Sequence, residues 1–179
     1  MDYQAINEFW FQELKPKQWF IKDPKLDQII TERFRAVHDA AGRGELFPWR
    51  DTAEGRLAEI IILDQFSRNI YRDNLLAFAF DPMALVLAQE AIRACAPLDL
   101  MPQQKAFLYM PFMHSESLQI HDRAVELFSE PGLENNLEFE LKHRAIIERF
   151  GRYPHRNTIL GRPSSPEETA FLAQPGSSF

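Results

Sequence analysis

Apolar residues recur at three- and four-residue intervals in segment after segment, and Pro or Gly stands at nearly every gap between those segments. No run alternates apolar and polar residues for long. A helix presents one face at the first period and a strand needs the second, so the chain is restricted to an all-α fold. The first helix is expected over Tyr3 to Leu14, with Phe9, Trp10 and Phe11 making it strongly aromatic. Asp23-Pro24 starts a second, because the carboxylate can take an orphan amide and Pro at the first helical position loses no needed donor. That helix runs to about Ala41, where Gly42 and Gly44 stop it. Asp51 and Thr52, with Glu54 behind them, open a third helix that continues straight through EGRLAEIIILDQFSRN.

Asp81-Pro82 repeats the Asp-Pro start, and the fourth helix ends before Pro97. A fifth begins at Pro102 and is expected to kink or break just before His114, because Pro111 lacks an amide and crowds the preceding turn. A sixth reaches about Ser129 and a seventh spans roughly Glu134 to Phe150, terminated by Gly151. Ser165-Pro166-Glu167-Glu168 is a capping box for a last short helix to Ala173. Seven to eight helices with short connections favour an array of antiparallel helical hairpins. With no fixed-period repeat and no linker, residues 1–179 are read as one all-α domain.

A 45% hydrophobic content with 15 Phe and 3 Trp supplies a sizeable core. The single cysteine, Cys95, lies in a helical-looking run and reads as a small buried hydrophobe. Asp2 stands where a secretory leader would be cationic, and the longest strongly apolar run, Ile60 to Leu63, is far short of a membrane span. A cytoplasmic protein without a membrane partner is expected. The net charge of -6 repels phosphate backbones, so nucleic acid is not an expected partner either.

Against that balance, RFGRYPHRN gathers Arg149, Arg152, His155 and Arg156, and Arg162 follows with no Asp or Glu in between. Negative charge must come from elsewhere in the chain, from Asp64 or Glu116 on neighbouring helices, or from a bound carboxylate or phosphate gripped by guanidinium forks. Asn157 and His155 add directed hydrogen bonds. Leu57, Ile61, Asp64 and Arg68 fall on one stripe of the third helix, so an acid and a base share the core face and form an i, i+4 pair. Phe139, His143, Ile146 and Phe150 share a face of the seventh helix, which turns His143 inward. After the Pro111 break, His114, Leu118, His121, Val125 and Phe128 form another stripe, and Ser115 is placed to cap the new helix. The HSE triplet fails as a metal motif, because His114 and Glu116 point in different directions on a helix. No metal and no cofactor is expected.

Several of these stretches travel together. FWF at Phe9, WF at Trp19, LDQFSRNIYR from Leu63, FLYMPFMHSE from Phe107, RFGRYPHRN from Arg149 and the closing SSPEETAFL resemble the bacterial family called domain of unknown function 924. The resemblance extends over essentially the whole chain. It implies a tetratricopeptide-like helical array and carries no established activity. Two positions depart from the common pattern: Ser67 where many members have Pro, and Tyr153 where Phe is frequent.

Three functions fit these residues. The first is a small-molecule site for an anionic ligand, a hydrolase-type or proton-transfer enzyme, with Asp64, His114, Glu116 and His155 as acid–base groups and Gln65, Arg68, Asn69, Arg149, Arg152, Arg156 and Asn157 holding the ligand. The second is a module whose helical groove takes a peptide or protein partner. The third is a buried polar network that only stabilises the fold.

Overall fold

In a computed structural model described over residues 1–177, every regular element is helical. The helices are α1 (Tyr3–Glu8), α2 (Pro24–Gly42), α3 (Ala53–Ile61), α4 (Ser67–Ile70), α5 (Asp81–Arg93), α6 (Pro102–Met113), α7 (Leu118–Phe128), α8 (Glu134–Phe150) and α9 (Pro166–Leu172). Short 3-10 turns fill most gaps. The start signals act as chemistry dictates at four of them. Asp2 accepts from Ala5 N, Asp23 from Lys25 N and Thr52 from Gly55 N, while Ser165 and Glu168 close a reciprocal box. Each such cap stabilises its helix by about 1 kcal/mol.

The core is organised around α3, which packs against α1, α5 and α6, while α2 lies on α4. Aromatic rings seal the first half of the chain. Phe66 sits 5.0 Å from Phe34 and 5.6 Å from Trp10, centroid to centroid, and Trp10 meets Phe107 at 5.5 Å. Such pairs contribute about 0.5–1.5 kcal/mol each beyond the area they bury. The second half runs as a sequence-order stack of α6, α7 and α8.

Two turns depart from the straight helices expected. The chain leaves α1 through a π-turn, Phe9–Glu13, and leaves α3 through a second, Ile62–Phe66, before α4 resumes. A π-turn admits an extra residue per turn and recurs at functional positions. Around the second one every residue from Ile60 to Ser67 is buried, so Asp64, Gln65 and Ser67 lie in the interior with the aliphatics. Ser67 settles its hydroxyl locally, donating to Leu63 O at 2.6 Å and accepting from His38 Nε2 at 2.8 Å.

Other expectations need correction. Cys95 is exposed in a left-handed turn after α5 (φ 58°), because the helix ends before reaching it. Phe139 is half exposed, although His143 on the same face is buried. Ser115 does not cap α7: Ser117 occupies the cap position, and the Ser115 hydroxyl accepts from Ser117 N. The run Leu75–Arg93, with a mean hydropathy of 1.6, is long and apolar enough by length and composition to cross a membrane. Within this fold α5 is a packed helix, its Ala84, Ala88 and Ala91 face fully buried against α3 and α6.

Candidate functional site

The π-turn carries Asp64 towards the end of α6. Pro111 is accommodated inside α6, and the helix stops at Met113, so His114 begins the connection to α7. There the His114 Nδ1–H donates to Asp64 Oδ1 at 2.7 Å. Gln65 Nε2 donates to the other carboxylate oxygen, and Arg68 donates to the Asp64 carbonyl while its Nη1 lies 3.4 Å from Oδ1. The Asp64 side chain is 1% exposed and that of His114 15%. An ionised carboxylate only accepts, so Nδ1 holds the proton and Nε2 presents its lone pair outward. Among the described residues Nε2 makes no hydrogen bond.

The electrostatics suit a base. Burial works to raise the Asp64 pKa, but His114, Arg68 and the Gln65 amide outweigh it and hold the carboxyl well below the ordinary carboxylate range. Burial, then the neighbouring Arg68 charge, lowers the pKa of His114 against the pull of Asp64, so the imidazole is neutral at pH 7.

Next to the dyad stand two guanidiniums. Arg68 grips Asp81 with both nitrogens, at 3.0 and 3.1 Å. Arg156, with an 8% exposed side chain, reaches the same carboxylate with one contact at 3.3 Å. Its guanidinium is held between the rings of Phe78 and Tyr153, 4.6 Å from each centroid, and its Nε has no hydrogen bond among the described residues. Asp81 is therefore shared. The expected Asp-Pro cap does not form at α5, where Phe80 is the cap residue, because the carboxylate is turned to the arginines.

The basic loop is neutralised mainly by acids that follow it. Gly151 ends α8 at φ 68°, a left-handed conformation that a Cβ disfavours, and turns the chain back across α6 and α7. Arg149 pairs with Glu167 and Arg152 with Glu168, the two acids of the α9 start. Arg162 grips Glu116 at 2.7 and 2.9 Å and also donates to Asn157 and the Tyr153 carbonyl. Of the two acids expected to serve the loop, Glu116 does so and Asp64 instead serves Arg68 and His114. Arg162 and the Tyr153 amide donate to Glu116, whose pKa falls below normal although burial opposes this.

The expected site thus divides. Asp64, Gln65, Arg68, His114 and Arg156 come together, with His155 beside them, its ring 5.5 Å from Tyr153. Burial and the Arg156 charge lower the His155 pKa to about 4. Glu116 and Asn157 meet through Arg162. Asn69 does not join, because it donates to Asp27, which Arg72 also holds. Arg149 and Arg152 are drawn to α9. Asp81, Phe78 and Tyr153 were not foreseen: Asp81 carried the signature of a cap, and the two rings that of core aromatics. Among the described residues no three His, Cys, Asp or Glu side chains are placed to hold a metal ion. A groove of about 690 Å³ lies elsewhere, along α8 and α9, lined by Phe139, Ile146, Phe150, Phe171 and Arg149.

No curated protein matches this chain. A solved structure described as a protein of unknown function, ATU0120 from Agrobacterium tumefaciens, is 40% identical to it. The two superpose with a TM-score of 0.91 over 96% of each chain. A family model described as a bacterial protein of unknown function matches residues 6–176. From nearly full coverage by that model and a close structural relative, the chain belongs to the bacterial DUF924 family.

Proposed function

We propose that the protein is an acid–base enzyme of the aqueous cytoplasm acting on a small anionic substrate, a carboxylate or phosphate ester, by proton transfer or hydrolysis. His114 Nε2 serves as the base, Asp64 fixes its tautomer and offsets the charge it gains, and Arg156 with Arg68 receives the anionic group. The observation that carries this reading is the imbalance at Arg156. A desolvated guanidinium held by two rings, with one long ion pair and an unbonded Nε, gives the fold little in return for its burial. A substrate anion would complete its hydrogen bonds.

The test is thermal stabilisation by a panel of phosphate, sulfate, acetate and succinate. An anion at about 100 times its Kd stabilises by about 2.7 kcal/mol. The expected result is a shift in the wild type that is absent in Arg156→Met, while the variant itself melts within about 1 kcal/mol of the wild type, since an apolar side chain of similar reach replaces a poorly paired ion. An equal response of both proteins, or of neither, removes the support for an anion site. A second reading, a peptide or protein partner without nucleic acid or membrane involvement, is favoured by the half-exposed Phe139 in the groove along α8. It predicts that Phe139→Ala, and not Arg156→Met, abolishes capture of that partner.

A further inference from the structure

The carbonyls on both sides of His114 are held by a buried side-chain pair. The Tyr153 hydroxyl donates to Met113 O at 2.5 Å, and His121 Nε2 lies 2.9 Å from Ser115 O. Behind them Glu140 Oε1 lies 2.6 Å from His121 Nδ1. Tyr153, His121 and Glu140 are each 0% exposed. Because Ser115 O can only accept, His121 carries its proton on Nε2, and one further proton is shared on the Nδ1 to Oε1 axis. The couple is neutral as a unit whichever atom holds that proton. It comes from α7 and α8 and closes on the end of α6, the point where the helix leaves carbonyls without intrahelical partners.

We propose that Tyr153, His121 and Glu140 form a positioning clamp that fixes the backbone on either side of His114, aims its imidazole at Asp64 and ties that base to the anion fork. The tie is Tyr153 itself, whose hydroxyl holds Met113 while its ring lies against the Arg156 guanidinium. None of the three touches the open edge of the site, so they are positioning residues. The proposal rests on the Asp64–His114 reading above. The groups facing His114 are Asp64 and Arg68 from the α3–α4 junction, Asp81 from α5, His143 from α8 and His155 from the loop.

The experiment needs no substrate. Long-range ¹H–¹⁵N spectra of protein labelled at its 5 histidines report which ring nitrogen is protonated, and the His114 signals are those lost in His114→Gln. Wild type is expected to show His114 protonated at Nδ1. In Tyr153→Phe and in Glu140→Gln, His114 should move towards the Nε2–H tautomer that water prefers. Its titration midpoint should rise towards the ordinary 6.5 as the ring becomes solvated. Ile30→Val, a core truncation in α2, should move neither signal. Either clamp variant suffices if the other does not fold. A wild-type Nδ1–H signature left unmoved by the variants overturns the clamp alone. A wild-type His114 protonated at Nε2 overturns the dyad and the clamp together.

Discussion

Asp64→Asn is the substitution whose outcome the geometry specifies most fully. The carboxylate has a 1% exposed side chain and accepts from His114 and Gln65, with Arg68 close by. Each hydrogen bond to a charged acceptor contributes about 1.5–3 kcal/mol, and an amide is cheaper to bury than a carboxylate. Arg68 keeps its fork on Asp81, which spares it from becoming an unpaired buried cation. The expected net loss is about 3 kcal/mol at pH 7, near the low end for breaking one side of a buried pair. For a chain of this length that is about 6–12 °C in Tm. The folded pKa of Asp64 lies below its unfolded value, so its contribution is complete above that unfolded value and disappears only as pH falls through the folded one. Urea unfolding of both proteins should therefore show the same gap at pH 7 and pH 5, with unchanged m-values. The asparagine amide can also donate to His114 Nδ1, which would move the ring proton to Nε2. A loss below about 1 kcal/mol, or a gap that closes by pH 5, refutes an ionised Asp64 held by these partners.

Two more outcomes follow from the same chemistry. His143 and His155 are neutral in the fold, with pKa values lowered chiefly by burial to about 3 and about 4, so the unfolded chain takes up protons first as the pH falls below about 6.5. Stability should drop by about 1.4 kcal/mol per pH unit for each, down to those values, and His143→Gln should remove its own share of about 1.4 kcal/mol per pH unit from the slope; parallel curves contradict this. Gly151→Ala should cost about 1 kcal/mol by chemical denaturation, because a Cβ there meets open space and only the left-handed backbone (φ 68°) resists it. An unchanged midpoint would mean that the turn relaxes freely.

Helical periodicity and capping chemistry were legible because they depend on residues close in sequence: Asp23, Thr52, Ser165 and Gly151 act where their neighbours predict. The Asp64–Arg68 pairing was legible for the same reason. The partner of a polar group across the fold was not. Asp81 has every local mark of a helix cap, and only the approach of Arg68 from one element and Arg156 from another, 75 positions away, diverts it. Glu167 and Glu168 likewise lie just past the stretch whose lack of acids raised the question of its charge. His121 and Glu140 looked unremarkable singly, because a buried acid identifies itself only when its base is found.

The π-turn at Ile62–Phe66 makes chain length, as much as residue identity, a determinant of the site. Removing one residue from that turn would let α3 run into α4 as a regular helix, satisfying every backbone amide and preserving the apolar composition. Positions inside the turn would then be re-aimed by up to about 100° about the helix axis, while α4 beyond it kept its register, because the turn had absorbed the extra residue. Asp64, inside the turn, would no longer face His114, although no side chain at the site had been altered. For anyone redesigning this helix, a shortened version that folds well and melts higher would be the one that has discarded the dyad.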